Sequence, residues 1–380
     1  MLSGCDAVAV AMSGDFVQRG EPALLDKWTR CALALDAGAD LVVEIPVLFC
    51  LGNASQYAAA SVRILESLGC GSIAFGSESG DTELLSGIAG FLNDHGAELD
   101  GHSALLAKEG SSYPAARAEA YRKLRSENGA DDERLAREIR ALGDPNDILA
   151  IEYIRCMRSA SPLCVKRQGP AHGDSFDGGR ELQSASAIRE ILRTGQDPEL
   201  LKDYIPECTY RALVSEKPVF ADEEWMKLIR YAAMMTPPDR IEDCPSAGEG
   251  LGNLISRHAA ESSGMDDLIK AVKSKRYTYS RISRLCMQLV LGISRAVYGR
   301  DEPQYIRVLG FSSRGREILA DLRKREDGLS VITNINKECG RLSEDASSML
   351  ALDVKAADIY NMVTGRGSAY SDHIRKPEKI

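Results

Sequence analysis

The chain has 380 residues, 44% of them hydrophobic, and a formal net charge of −9. That length buries a full core and divides into two or three domains, while the acidic balance excludes a protein that coats nucleic acid by bulk charge alone. Ten scattered cysteines without a CxxC pair, and five histidines without zinc spacing, exclude a disulfide framework and a zinc module. Free thiols suit a reducing cytoplasm, and no apolar run approaches the ~18–20 residues of a membrane span. We expect a cytoplasmic protein with no membrane partner and no metal ligands of its own.

In chain order, residues 6–12 form an apolar strand that empties into the Gly-rich polar loop 13–22. Helical spacing follows over 24–36, closed by Gly38. A strand at 41–44 stops at Pro46, an alanine-rich helix covers 55–68, and a third strand covers 72–76. Strand, helix, strand, helix, strand with short connections predicts a parallel sheet with right-handed crossovers. From 81 to about 158 the pattern is helical, with turns expected near Gly101 and 110–112 and a break at Asp144-Pro145-Asn146. One more strand is expected at 163–167, then a glycine-rich loop to 179 and a short helix over 184–192 capped by Ser184 or Ser186. Asp197-Pro198 opens another helix. Beyond 205 the chain is mostly helical, with an acidic, proline-containing loop at 236–252 that looks like a boundary, and strand-like runs at 305–309 and 329–332.

In open α/β sheets, ligands sit at the carboxyl ends of strands, where loops and helix N-termini present N–H groups. The loops beginning at 13, 44, 76 and 167 carry Arg19, Lys27, Ser77 and Arg167, a charge set suited to a triphosphate. Surface loops also hold Gly, Ser and charge for no functional reason. At 184–189, Ser186 and Arg189 at a helix start suit phosphate oxygens, although an ordinary cap with a solvated arginine has the same composition. Asn146 offers a donor and an acceptor to an adenine edge or a ribose, or simply caps its helix.

Taken together, the order of motifs is far more specific than its parts. The 13–23 loop with Lys27, Trp28 and Arg30, then Glu44-Ile45-Pro46, Phe75-Gly76-Ser77-Glu78, Pro145-Asn146-Asp147-Ile148-Leu149, Lys166-Arg167 and the 275–282 segment closely resemble the bacterial tRNA(Met) cytidine acetate ligase family. The resemblance runs from about Cys5 to about 360. It implies an α/β fold: a Rossmann-like nucleotidyltransferase domain with a parallel sheet over 1–200, followed by a mainly helical tRNA-binding region over 201–380. It also implies ATP and acetate as substrates, Mg²⁺ with the ATP, and tRNA(Met) as the acceptor. An acetyl-adenylate then passes its acetyl group to N4 of the wobble cytidine. Gly76, Asn146 and Arg167 match the family's ATP-contacting positions, and Arg19 and Lys27 fall in its first matching loop and helix. In such chemistry cations offset charge on the phosphoryl oxygens, and an activated anhydride needs positioning more than a strong base.

Between 270 and 284 stand Lys270, Lys273, Lys275, Arg276, Arg281 and Arg284 with no acidic residue, interleaved with Tyr277 and Tyr279. In an acidic chain this reversal suits RNA, with cations on phosphates and tyrosines on unpaired bases. A solvated helix face would read the same way, and within the resemblance the RNA reading is preferred. The family's first strand ends in a histidine-containing HxGH-type turn, and here no histidine precedes His95. We expect that strand and turn about 25 residues upstream of Met1, the span that a strand, a turn and the start of a helix require. Two other functions stay open at this stage: a tRNA-binding remnant without adenylation, and an adenylyltransferase acting on a small cofactor precursor.

Overall fold

The strands at the start of the chain form where apolar runs meet turn residues, and Leu41–Ile45 is buried at all five positions. A computed structural model describes residues 4–108, 113–168, 184–216, 218, 220–274, 277–298, 302–325, 328–367 and 370–380. Contacts divide the chain into two units. One comprises Ala54–Arg167 with Met1–Gly4 and Lys273–Thr278; the other comprises Cys5–Asn53, Gln168–Val272 and Tyr279–Ile380.

In the second unit, Ala9–Ser13 and Leu41–Ile45 pair in parallel, Ala9 opposite Leu41 and Ser13 opposite Ile45. The helix Lys27–Asp36 connects them. Asp26 caps it by accepting the Trp28 and Thr29 N–H groups, and Gly38 ends it at φ +101°. The sheet continues through Tyr305–Phe311 to Ser330–Ile332, with Glu378–Lys379 also on Tyr305–Phe311. Both strand-like runs near the C-terminus are therefore strands, but the sheet is not wholly parallel. Tyr305–Phe311 lies antiparallel to Leu41–Ile45, with a register shift between Val42 and Val43. The crossover rule constrains consecutive βαβ strands, and Tyr305–Phe311 arrives after a long helical stretch that frees it from that rule. Its seven residues are all buried.

The third strand also departs from expectation. Ser72–Ser77 pairs with Ser161–Lys166, parallel, over six residues, in a two-stranded sheet of the first unit. Periodicity marks a strand without naming its partner. Around this pair, Ala54–Leu68, Thr82–Lys108, Tyr113–Glu127, Asp132–Ala141 and Pro145–Cys156 are helices. Ile73, Phe75, Leu85, Ile88, Leu92, Tyr121 and Ile151 fill the core. The turn expected near Gly101 is absent, since Thr82–Lys108 is one continuous helix. Glycine weakens a helix interior by only about 1 kcal/mol, and buried Leu99 on the preceding turn holds the segment in place. The expected turn at 110–112 lies outside the described residues, as does the glycine-rich loop beyond Gln168.

Two further differences lie in the helical part. Asp197-Pro198 opens a single 3-10 turn, Pro198–Leu201, in place of a longer helix. The 236–252 loop is no boundary, because it sits inside one unit. Ile241, Cys244 and Ala247 are buried, and the Arg281 guanidinium donates to the Ser246 carbonyl at 2.9 Å. Acidic, proline-containing composition describes its surface, while a few apolar anchors decide its packing. No helix among the described residues is long and apolar enough to cross a membrane.

Candidate nucleotide-binding and RNA-binding sites

In the first unit, the carboxyl ends of the two parallel strands bring Gly76, Glu78 and Arg167 to one place. The Arg167 N–H donates to the Ser77 carbonyl at 2.8 Å, continuing the ladder past the last strand residue. Gly76 lies beside it, and a Cβ at that position would sit 3.4 Å from Arg167 Cγ. Ser77 is fully buried; its Oγ accepts from the Gly80 N–H at 2.8 Å and lies 2.8 Å from Cys164 Sγ. The turn closes at Gly80, φ +65°, where a Cβ would meet Lys166 Cβ at 2.4 Å. Glycine alone fits both the torsion and the space.

The helix Pro145–Cys156 enters the same place by its N-terminus. Proline opens it without losing a needed donor. The Glu78 carboxylate accepts from the Asn146 N–H at 3.2 Å, Asn146 Nδ2 at 2.6 Å and the Asp147 N–H at 2.8 Å. Asp147, 1% exposed, returns the contact by accepting from the Ser79 N–H at 3.2 Å. The strand-end turn and the helix N-terminus are thus cross-braced by two carboxylates. Burial, together with the neighbouring Glu78 and Asp147 charges, raises the Asp144 carboxyl above its ordinary range. Asn146 Nδ2 gives one of its two N–H groups to Glu78, so the side chain can still offer a ligand a donor as well as its amide oxygen.

In the second unit, the 13–22 loop is held from three sides. Arg30 donates to the Ser13 carbonyl at 3.0 Å, to the Leu25 carbonyl at 2.9 Å and to the Gly14 carbonyl. Ser283 Oγ donates to the Gly20 carbonyl at 2.8 Å, and Arg284 Nη1 to the Gln18 carbonyl at 3.3 Å. Gly20, at φ +80°, is pressed against the backbone of Arg284.

Lys27 begins the following helix and is 1% exposed. Its ammonium lies 2.9 Å from Glu44 Oε1, 2.6 Å from Asp372 Oδ2 and 3.9 Å from Asp15 Oδ2. Arg307 joins the group, 3.3 Å from Asp372 and 3.5 Å from Glu44. Burial alone would lower the Lys27 pKa, and the Asp372, Glu44 and Asp15 charges reverse that and raise it. Burial pushes Asp15 up to about 6 despite Lys27. Asp372 is held below its ordinary value because Lys27 and Arg307 outweigh its burial.

Ser184, not Ser186, caps the helix Ala185–Arg193, accepting from the Ala187 N–H at 3.0 Å. Ser186 is half-buried beside it. Burial lowers the Arg189 pKa, Glu21 opposes that, and the nearby charges of Arg19 and Arg193 lower it further. Arg19 and Arg189 thus lie within electrostatic reach of each other, a relation that no spacing in the sequence shows.

Of the basic segment, Lys273 is exposed, while Tyr277 is 5% exposed and Tyr279 is 38% exposed. Tyr279 is thus the accessible ring of the two. Arg281 and Arg284 are half-buried with guanidinium groups on backbone carbonyls of their own unit. Lys275 and Arg276 lie outside the described residues. Sequence reasoning missed Glu78, Arg30, Glu44 and Asp372 as organising groups. Glu78, Arg30 and Glu44 had a legible signal, since all three stand in the motifs that carry the resemblance, while Asp372 had none.

Parallel strand ends, a glycine turn and a helix N-terminus in one place make a nucleotide-type site, and the family model described as HIGH Nucleotidyl Transferase, which matches residues 1–373, gives its class as a nucleotidyltransferase. The tRNA(Met) cytidine acetate ligase of Clostridium perfringens is 34% identical over 384 residues, covering 99% of this chain and 92% of that protein. The apo crystal structure of Thermotoga maritima TmcAL superposes with a TM-score of 0.90 at 32% identity, covering 100% of this chain and 93% of that one. The same Thermotoga protein bound with alpha-thio ATP gives 0.86 at 31%, covering 99% and 92%. The chain belongs to the tRNA(Met) cytidine acetate ligase family, a family of tRNA-modifying ligases.

Proposed function

We propose that this protein activates acetate with ATP and transfers the acetyl group to N4 of the wobble cytidine of elongator tRNA(Met). A carboxylate oxygen of acetate attacks the α-phosphorus, the bond to the bridging oxygen breaks, and pyrophosphate leaves with the electron pair. The cytosine amine then attacks the acetyl carbon, AMP leaves, and the amine proton passes to solvent. No protein nucleophile is required.

The observation that carries this reading is the joining of Gly76, Asn146 and Arg167 at the ends of two parallel strands. We assign these three to the nucleotide. In the second unit we assign phosphate oxygens to Arg19, Ser186 and Arg189, and to Lys27 the positioning of the 13–22 loop through Asp15 and Glu44. The ATP-analogue complex of the Thermotoga relative supports ATP as substrate. Among the described residues no group of three or more His, Cys, Asp or Glu side chains is arranged to hold a metal ion. Mg²⁺ would enter with the ATP phosphates, as it commonly does.

For tRNA(Met), we assign backbone phosphates to Lys273, Lys275 and Arg276 and stacking to Tyr279. Arg281 and Arg284, held on backbone carbonyls of their own unit, and buried Tyr277 are assigned a packing role, each within its own unit.

Acetate-dependent exchange between ATP and labelled pyrophosphate tests the first step. Acetylation of transcribed tRNA(Met), read by mass spectrometry of the nucleosides, tests the second. Exchange and acetylation are expected together. Binding of tRNA(Met) without exchange would replace this reading with a purely RNA-binding one.

A further inference from the structure

Two cations and four carboxylates meet in the interior of the second unit: Lys27 and Arg307 against Asp15, Glu44, Asp353 and Asp372, none of them more than 5% exposed. With every carboxylate ionised, the cluster would carry two negative charges that no cation offsets. A buried uncompensated charge is costly enough that the group takes up a proton instead. Two protons make the cluster neutral.

Geometry shows which carboxylates hold them. Glu44 and Asp372 take the cations, at 2.9 and 2.6 Å from Lys27 and at 3.5 and 3.3 Å from Arg307. Asp15 lies 3.9 Å from the Lys27 ammonium and accepts the Lys27 backbone N–H at 2.8 Å. It also faces Arg30, whose guanidinium is spent on the Ser13, Gly14 and Leu25 carbonyls. Asp353 has neutral hydrogen-bond partners, the Tyr305 hydroxyl at 2.5 Å and the Val47 N–H at 2.8 Å. Beyond them it faces Glu44, Lys27 and Arg307.

Burial lifts both carboxyls, Asp15 to about 6 and Asp353, with the Glu44 charge near it, to about 7. Cys50 and Tyr305 also face Asp353, and Tyr360 faces Asp15; burial raises all three, so none of them titrates near neutrality.

The cluster ties down two segments that local structure holds weakly. Asp15 belongs to the 13–22 loop, whose own pairing is only Phe16–Val17 with Glu21–Pro22. Gly14 in that loop is so close to Glu44 that a Cβ there would lie 2.3 Å from Oε1. Asp372 stands on the single helical turn Ser371–Ile374. A two-residue pairing and a lone helical turn are both marginal by themselves. Their closure therefore depends on the charge balance beneath them.

We propose that Asp15 and Asp353 form a two-proton latch: with both protons in place the 13–22 loop and the 371–374 turn are held closed on the cluster, and loss of the protons lets both open. In the open state the carboxyls are hydrated and ionise at their ordinary values. Between those values and the raised ones, the closed state holds protons that the open state has lost. The latch therefore weakens as pH rises toward neutrality, changes no further above it, and tightens on mild acidification.

Hydrogen exchange of the full chain, read as protection factors from about pH 5 to 8, tests the latch. The amides to follow are those of Gly20, Ala23 and Arg375, which donate to the Val17, Asp15 and Ser371 carbonyls. Amides of the strand Leu41–Ile45 report unfolding of the whole unit. Protection of the three should fall together, at least about tenfold between pH 5 and 7, and level off above. It should stay below that of the strand throughout. Asp15→Asn and Asp353→Asn should each make the fall shallower, and the double variant should abolish it. Carbon-13 labelling of aspartate carboxyls should show midpoints near about 6 and 7, one lost in each variant. Flat protection in the wild type overturns the latch, as does an undiminished fall in the double variant. Protection equal to that of the strand overturns it too, leaving only a pH-dependent global stability. If a variant folds poorly, wild-type protection and the two carboxyl midpoints decide the matter. Neither readout needs ATP or RNA, so the latch stands or falls apart from the proposed activity.

Discussion

The Lys27 ammonium donates to the Asp372 carboxylate at 2.6 Å, joining residues 345 positions apart in sequence. Asp372 also accepts from the Trp28 indole N–H at 3.2 Å and lies 3.3 Å from Arg307. One short helix, Ser371–Ile374, thereby completes the charge balance beneath the 13–22 loop.

Removing that carboxylate leaves two buried cations short of a partner. Breaking a buried pair from one side typically costs about 3–5 kcal/mol. Asp372→Ala should therefore lower the urea midpoint strongly, whereas a surface control such as Asp321→Ala should hardly move it. Equal midpoints for the two would contradict the buried cluster.

Stability should depend on pH through Asp15. Its carboxyl is 3.8 by ordinary value and about 6 in the fold. Between those values the folded chain holds a proton that the unfolded chain has lost, so stability falls as pH rises through the window and changes no further above it. Burial, with the Glu44 charge, raises Asp353 as well, which acts in the same direction. Asp15→Asn lacks this titration. The variant's urea midpoint, measured relative to wild type, should climb between about pH 4 and 6 and then level off. A flat difference across that range would show that Asp15 is not buried as described.

Gly20→Ala places a methyl 2.2 Å from the Arg284 backbone nitrogen at a φ of +80°. The positive φ alone costs about 1–3 kcal/mol, and the overlap with the backbone of Ser283 and Arg284 adds to it. Thermal unfolding should shift down accordingly. Gly4→Ala, also at positive φ but with nothing within 4 Å, should cost less.

Arg167→Ala should reduce kcat/KM for ATP in pyrophosphate exchange by about ten- to a hundredfold, the worth of one charge-assisted contact, with little change in stability because Arg167 is exposed. Glu78→Ala should do the opposite in proportion. It releases three N–H donors at the helix start, those of the Asn146 and Asp147 backbone and of Asn146 Nδ2, costing about 0.5–2 kcal/mol of stability along with nucleotide affinity. If both variants exchanged pyrophosphate at wild-type rate, the nucleotide would lie elsewhere.

Local pattern carried the elements well. The strands near residues 10, 43, 74, 164, 307 and 331 and the helices starting near 27, 54 and 145 all follow from apolar period and caps, and Gly76, Asn146 and Arg167 do share one place. Pairing was hidden, because Ser72–Ser77 has the same alternation whichever strand it joins. The environment of Lys27 was hidden for a related reason. A lysine after a polar loop looks free until Glu44 and Asp372 arrive from 17 and 345 residues away. Arg281 and Arg284 looked like an exposed basic stripe. Their carbonyl partners at Ser246 and Gln18 are set by how helices stack, which charge counting does not encode.

The dependence of Lys27 on Asp372 also sets a schedule for making the protein. Residues 54–167 gather nearly all of one unit within a continuous stretch and can fold as soon as it leaves the ribosome. The other unit must wait for residue 372, about 200 residues later, roughly 10–40 s at ordinary translation speed. Through that interval Lys27 has emerged without its last carboxylate and Leu41–Ile45 without its antiparallel neighbour, leaving a growing chain with a bare strand edge for chaperones to shield.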